Sequence, residues 1–155
     1  MGFNISALDV NEFSHLFGLD DEALLQRGIR RMIVDNKPGY PCRVSLQDAD
    51  VGETVLLMNY EHQPAPTPYR SSHAIFVREW ASQAVPERNE VPEMLRQRLL
   101  SVRAFDDAGM MTDADVIEGV RLESMIERML ASESTAYLHI HNAKLGCYAA
   151  RVDRD

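Results

Sequence analysis

The sequence predicts an α+β fold, with about six strands in an antiparallel or mixed sheet and about three helices packed on it. Three observations favour this class. Strand-like and helix-like segments do not alternate strictly, only three segments carry helical signals, and the chain ends in a hairpin pattern. No repeat or linker divides the 155 residues, so residues 1–155 are predicted to form one domain.

The first half of the chain contains one predicted helix and three predicted strands. The helix covers residues 20–27, because Asp20 or Asp21 can cap its start and Gly28 can end it. A stretch rich in proline and glycine at 37–43 predicts turns. β-Branched and aromatic residues between turn signals predict strands at 29–35, 54–60 and 74–78.

The second half contains two predicted helices and three predicted strands. A short helix should follow Pro92, and a strand should cover 99–105. The longest helix is predicted at 113–131, because apolar residues recur at helical spacing and Thr112 and Asp115 resemble a capping box. Gly119 is expected to interrupt it early. The last two strands, 136–141 and 147–152, flank a glycine-containing loop and predict a β-hairpin.

Composition limits the partners and the compartment. The net charge of −8 repels polyphosphate, so no nucleic-acid partner is expected. No segment has the roughly 18 consecutive apolar residues of a membrane span, and the start of the chain shows no signal-peptide pattern, so no membrane partner is expected. Cys42 and Cys147 form no CxxC pair and are expected to be reduced thiols in the cytoplasm.

The terminal hairpin carries the clearest candidate for chemistry. Strand alternation places His139 and His141 on one face, with Tyr137 beside them. Matching the apolar residues of the two strands then assigns Cys147 and Arg151 to the histidine face. The opposite face is predicted to contain Leu138, Ile140, Tyr148, Ala150 and Val152.

These residue types suggest two kinds of site. Imidazole and thiolate are zinc ligands, so His139, His141 and Cys147 are the metal-ligand candidates and zinc is the candidate cofactor. Alternatively, a histidine can lower the pKa of Cys147 and make it a nucleophile. The catalytic candidates are His139, His141, Cys147 and, from the proline-rich loop, His62. A third interpretation is structural, with hydrogen-bonded histidines on a half-buried sheet face.

A second candidate site surrounds the proline-rich segment 63–68. Tyr60 precedes this segment, and Tyr69 and Arg70 follow it, on a loop stiffened by three prolines. Arg70 and Arg43 can each hold a carboxylate or a phosphate with two hydrogen bonds, which predicts a small anionic ligand. The alternative is a structural loop in which Tyr69 packs and Arg70 pairs with a surface carboxylate.

Three stretches of the chain resemble a known family. They are Pro41-Cys42-Arg43-Val44-Ser45-Leu46 with Asp48-Ala49, then Tyr60-Glu61-His62-Gln63-Pro64 with Pro68-Tyr69-Arg70 and Ile75-Phe76-Val77-Arg78-Glu79, and His139-Ile140-His141-Asn142-Ala143 with Gly146-Cys147-Tyr148. In these motifs the chain resembles the bacterial family called domain of unknown function 1203. The resemblance implies a small bacterial cytoplasmic domain and assigns no reaction, ligand or partner.

Two hypotheses about function follow from the sequence, which does not decide whether the protein is an enzyme. In the first, the protein is an enzyme or small-ligand binder, with or without a metal, whose His/Cys/Arg site forms where the terminal hairpin meets the proline-rich loop. In the second, it is a non-catalytic interaction module or a homodimer that uses the same exposed residues. One concave pocket favours the first hypothesis, and a flat symmetric contact favours the second.

Overall fold

The computed structural model describes residues 2–155 and confirms the α+β class. Within these residues lie eight strands, three α-helices and three short 3-10 helices. The strands are β1 (Phe3–Ser6), β2 (Arg30–Ile33), β3 (Thr54–Gln63), β4 (Ser71–Arg78), β5 (Leu99–Phe105), β6 (Met111–Glu118), β7 (Tyr137–Asn142) and β8 (Tyr148–Arg154). The helices are α1 (Asp21–Gln26), α2 (Glu93–Arg96) and α3 (Leu122–Leu130), and the 3-10 helices are Val10–Glu12, Ser14–Leu16 and Gly119–Arg121.

The strands form two antiparallel sheets, where the sequence suggested one. The five-stranded sheet has the order β1-β8-β7-β5-β6, and the three-stranded sheet has the order β2-β3-β4. The predicted C-terminal hairpin is confirmed as β7 and β8. Two strands were not predicted, namely β1, which pairs with β8 along Phe3–Ser6, and β6, which lies where a helix was expected.

The chain divides into two compact units. The larger unit contains the residues up to Ser6, Glu61–His73 and Val85–Asp155, and the smaller unit contains Ala7–Tyr60 and Ala74–Ala84. The ends of β3 and β4 that flank the proline-rich loop therefore belong to the larger unit, together with the whole five-stranded sheet. All the histidines discussed below, apart from the exposed His15, lie in this larger unit.

The larger unit buries one face of its sheet under α3. Alternate residues of β5, β7 and β8 are completely buried, as the period of a strand requires. They are Leu100, Val102, Ala104, Leu138, Ile140, Ala150 and Val152. The apolar side of α3, which contacts β5, β6 and β7, supplies Leu122, Met125, Ile126, Met129 and Leu130. The intervening residues of β5 and β7, which include His139 and His141, must therefore point to the other face.

The long helix predicted at 113–131 was wrong in its first third. Residues 113–118 belong to β6, which pairs with β5 from Leu99↔Glu118 onward, and only Leu122–Leu130 is α-helical. The Thr112 hydroxyl, expected as a cap, instead contacts the carbonyl of Ala104 in β5. The apolar residues that suggested the helix all lie in α3, so the periodicity was right and the capping signal was wrong.

Gly119 marks the change from strand to helix because another chain segment passes close to it. A Cβ atom at this position would overlap the backbone of Leu95 and Arg96. Its N–H donates to the carbonyl of Arg98 at 2.8 Å. Gly119 was expected to interrupt a helix, but it lies where β6 ends and the helical segment begins, and this close packing accounts for the glycine.

The smaller unit has its own core and the predicted first helix. Its buried residues include Leu24, Cys42, Val44, Leu56 and Ile75. Asp20 caps α1, because its carboxylate accepts from the N–H of Ala23 at 2.8 Å. No helix among residues 2–155 is long and apolar enough to cross a membrane.

Candidate metal centre

Four of the five histidines of the chain cluster in the larger unit. His62 lies in β3, His73 in β4, and His139 and His141 in β7. The exposed fractions are 0% for His141, 3% for His139 and 8% for His62, whereas His73 is half-buried. The cluster therefore reaches solvent at His73.

Three of these histidines offer nitrogen atoms close to one point. One ring nitrogen from each of His62, His73 and His141 lies within 4.8 Å of the other two. His62 Nε2 and His73 Nδ1 are 2.7 Å apart, with the two rings stacked. The rings of His62 and His141 meet edge to face with their centroids 4.9 Å apart. A group of three convergent imidazoles is a ligand set that suits a transition metal.

The tautomer of His141 follows from its hydrogen bond. The Nδ1 atom lies 2.8 Å from the carbonyl oxygen of Gly146, and because a carbonyl can only accept, Nδ1 must donate. In the neutral ring Nε2 is then a bare acceptor. This Nε2 is buried and has no hydrogen-bond partner among residues 2–155. A backbone carbonyl that holds one nitrogen so that the other can bind is the usual arrangement around a metal-ligating histidine.

Burial keeps these imidazoles neutral. It lowers the pKa of His141 to about 2, that of His139 to about 3 and that of His62 to about 4. Burial also lowers the pKa of His73. The positive charge of Arg103 acts in the same direction on all four rings. Neutral imidazole is the form that binds metals, so the site needs no deprotonation at neutral pH.

The geometry fits a tetrahedral zinc after small movements. Two nitrogens bound to one zinc at about 2.0–2.1 Å lie about 3.4 Å apart. The His62 and His73 nitrogens, at 2.7 Å, must separate by about 0.7 Å, and the widest of the three separations, at most 4.8 Å, must shorten by about 1.4 Å. Such shifts are within reach of a half-buried side chain such as His73 that turns about its χ angles.

Aromatic side chains enclose the cluster. The ring of Tyr148 stacks on that of His62 with centroids 5.2 Å apart, and it meets His139 and His141 edge to face. The ring of Phe105 lies 5.0 Å from that of His139. Because these rings offer packing and exclude water, they hold the imidazoles in place and account for their low pKa values.

A bulge in β8 explains the position of Tyr148. Ile140 pairs with Ala150 but His141 pairs with Tyr148, so Ala149 has no residue opposite it. The extra residue reverses the alternation at this point. The prediction that Tyr148 shares a face with Leu138 and Ile140 was therefore wrong. Beyond the bulge the predicted register is confirmed, since Arg151 pairs with His139.

The structure brings together some of the predicted site residues. His139 and His141 lie side by side with their ring centroids 6.4 Å apart, and His62 joins them. The Cys147 thiol is outside the convergent group, and its Sγ accepts from the amide of Asn142 at 3.6 Å. The geometric set of His62, His73 and His141 thus shares one residue with the metal set suggested by the sequence.

His73 was not among the sequence-based candidates, although a signal for it exists. It alternates with Ile75 and Val77, both fully buried in β4. Extension of the predicted strand back from residue 74 to Ser71 would have placed His73 on that same inward face. The two serines before His73 predicted a turn, because serine is common in turns, and the start of the strand was therefore missed.

The other predicted ligand-binding residues have partners of their own. Arg70 forms a 3.0 Å ion pair with Glu61, as the structural alternative for this loop expected, and Tyr69 is exposed. The Tyr60 hydroxyl donates to the carboxylate of Glu12. Arg43 is buried and its guanidinium donates to the carbonyl of Pro41. These contacts account for three of the four side chains without a ligand, whereas Tyr69, which the structural alternative expected to pack, is exposed.

The fold and the site together define an α+β protein with a buried histidine cluster in one of its two units. A family model described as a protein of unknown function, DUF1203, matches residues 39–154. The chain therefore belongs to the DUF1203 family, as its motifs suggested, and the matched region includes all four clustered histidines. No curated protein and no solved structure matches the chain significantly.

Proposed function

We propose that this protein binds a divalent transition metal, with zinc as the best candidate, through His62, His73 and His141. One observation carries the proposal. His141, one of the three residues whose ring nitrogens converge, is completely buried, and a carbonyl holds its Nδ1 while its Nε2 has no partner among the described residues. A buried polar atom without a partner is costly, and a bound metal removes that cost.

The donor set favours zinc and similar transition metals over magnesium and calcium. All three donors are neutral imidazole nitrogens, and the group contains no carboxylate of the kind that magnesium and calcium prefer. Imidazole suits zinc, copper, iron and nickel. Three protein ligands leave a fourth position of a tetrahedral zinc for water or a small ligand, which is the arrangement of catalytic rather than structural zinc sites. Zinc bound in this way lowers the pKa of its water to about 7 and activates it for hydrolysis.

Cobalt binding by matched variants tests the proposal. Untagged protein, freed of metal by chelation, is titrated with Co²⁺, whose visible absorption reports a tetrahedral site. We expect one intense spectrum at one equivalent, displaced by zinc, in the wild type and in His15→Ala, because His15 is exposed and outside the cluster. His73→Ala and His141→Ala should lose more than about 100-fold in affinity, since loss of a ligand exceeds the 10–100-fold effect of losing its supporting bond. A wild type without a tetrahedral spectrum contradicts the proposal.

The proposal also covers the cellular compartment and the partners of the protein. We place it in the cytoplasm, because both cysteines are thiols, one buried and one half-buried, as a reducing compartment permits. Neither nucleic acid nor membrane is proposed as a partner, in keeping with the net charge of −8. We propose a small molecule as the ligand at the open metal position, since the rings of Tyr148 and Phe105 pack directly against the buried histidines.

A further inference from the structure

One cation stands beside the histidine cluster without an acidic partner. Arg103 lies in β5, directly opposite His139 in β7, and the next pair on the same face is Ser101 opposite His141. The side chain is half-buried, and its Nε donates to the Ser101 hydroxyl at 3.3 Å. Among residues 2–155, no carboxylate forms an ion pair with this guanidinium, that is, none lies within 4.0 Å of it.

Other arginines of the larger unit show what Arg103 lacks. Arg151 lies on the same face in β8, on the far side of β7, and forms a two-pronged ion pair with Asp153. Arg96 pairs with Glu123, and Arg128 pairs with Asp113. A partly buried charge without a counterion is costly, so a protein rarely keeps one unless it serves a ligand. Burial also lowers the pKa of Arg103, which is the direction expected for such a cation.

Arg103 lies beside the proposed metal site in the sheet. It pairs with His139, and its hydrogen-bond partner Ser101 pairs with the proposed ligand His141. A divalent metal on three neutral ligands would therefore sit next to a second positive charge, with no acidic residue in the group to balance either. The site as a whole attracts an anion, although the chain has a net charge of −8.

We propose that the site binds a small organic carboxylate, held between the metal and the guanidinium of Arg103. One carboxylate oxygen takes the open metal position and the other accepts from Arg103, a group whose planar donors match a carboxylate. A single arginine and a strongly acidic chain favour this singly charged group over phosphate. The aromatic side chains around the cluster suit the apolar part of such a ligand. This inference rests on the proposed metal site.

The test uses Co²⁺-loaded protein and acetate as the probe. Acetate is titrated into wild type, Arg103→Gln, Arg103→Lys and a matched control, Arg121→Gln, which removes an exposed arginine of the same unit. We expect acetate to alter the cobalt spectrum of the wild type and the control equally. Arg103→Gln should bind Co²⁺ as well as the wild type but bind acetate at least about tenfold more weakly. Arg103→Lys keeps the charge without the planar donors and should fall between them.

The outcomes separate this inference from the metal site. If Arg103→Gln binds acetate as tightly as the wild type, the role of Arg103 is overturned while the metal site stands. Arg103→Lys serves for the same comparison if Arg103→Gln does not fold. Tighter binding of inorganic phosphate than of acetate overturns the choice of a carboxylate. If the wild type binds no Co²⁺, the proposed function fails first and this inference fails with it.

Discussion

The Nδ1 atom of His141 donates to the carbonyl of Gly146 at 2.8 Å, across the loop of the terminal hairpin. This single bond sets the tautomer of a completely buried imidazole and leaves its Nε2 without a hydrogen-bond partner among the described residues. It also couples the conformation of a surface loop to the proposed metal site. The loop can turn here because Gly146 has a φ of +77°, in the left-handed region that favours glycine.

Gly146→Ala tests this coupling without altering a ligand. An alanine strains the backbone by about 1–2 kcal/mol and should loosen the carbonyl that holds His141. We expect zinc affinity to fall about tenfold, as for other bonds that support a metal ligand. The control is Gly28→Ala, because Gly28 has a φ of +72° and, like Gly146, open space where a Cβ would lie. Equal zinc affinity in both variants, by competition with a chromophoric chelator, would contradict the coupling.

His73→Ala should separate metal binding from folding. His73 is half-buried, so its removal opens little cavity, but His62 Nε2 loses its partner, and we expect the free energy of unfolding of the metal-free protein to fall by about 1–2 kcal/mol. Zinc should then no longer raise the melting temperature, because ligand stabilisation requires binding to the folded state. His141→Ala should also abolish stabilisation by zinc and, because the position is completely buried, should lower the free energy of unfolding by about 2–4 kcal/mol. The prediction fails if zinc stabilises His73→Ala as much as the wild type.

Glu79 should control the acid stability of the smaller unit. The hydrogen bonds from Arg31, ahead of those from Gly18 and Thr54, lower the pKa of this carboxyl to about 2 from 4.5, and its side chain is only 6% exposed. Because the folded-state pKa is depressed, the stabilisation is complete above about pH 4.5 and is lost as the pH falls from there through about 2. Its size at pH 7 is about 3 kcal/mol.

Urea unfolding of Glu79→Gln at pH 7 and pH 3 checks this linkage. The variant should be less stable than the wild type at pH 7, and the difference should shrink at pH 3, where the wild type has lost part of the contribution. Glu22→Gln, at an exposed acid in the first turn of α1, is the control and should behave as the wild type within about 0.5 kcal/mol. A difference for Glu79→Gln that is constant across this pH range would refute the assignment.

Gly119→Ala should be among the most damaging small substitutions in the larger unit. The added Cβ would overlap backbone atoms of Leu95 and Arg96, which cannot move aside as a flexible side chain can. We expect a loss of more than about 3 kcal/mol or failure to fold. At Gly52 the φ is +93° and the space for a Cβ is open, so Gly52→Ala should lose only the stability that the backbone strain costs. Similar melting temperatures for the two alanine variants would show that the packing at Gly119 is looser than the structure indicates.

Local signals in the sequence predicted most of the fold. The cap at Asp20, the strand β5 and the terminal hairpin were found because each depends on neighbours along the chain. β6 was missed because its residues are nearly all exposed at the sheet edge, so no alternation of apolar residues marks it. β1 was missed because it has only four residues and is stabilised by pairing with β8, which lies at the far end of the chain.

The site was predicted only in part, for two physical reasons. Strand alternation correctly placed His139 and His141 on one face, but a one-residue bulge at Ala149 exchanged the faces at the start of β8, and sequence does not signal such a bulge. The approach of His62 and His73 to β7 depends on tertiary packing of the β3 and β4 ends in the larger unit. The sequence did not single out Arg103, because its position beside the histidines and its lack of an ion pair are visible only in the folded chain.

X-ray absorption spectroscopy of the zinc-loaded, untagged protein tests the central claim most directly. Zinc–nitrogen distances of about 2.0–2.1 Å and zinc–sulfur distances of about 2.3 Å are readily distinguished. The account predicts one zinc per chain, three imidazole nitrogens and one further light atom, with no sulfur, and a loss of imidazole scattering in His73→Ala. A sulfur ligand would instead assign the metal to Cys147 with the hairpin histidines, and a protein that retains no stoichiometric zinc would contradict the metal site altogether.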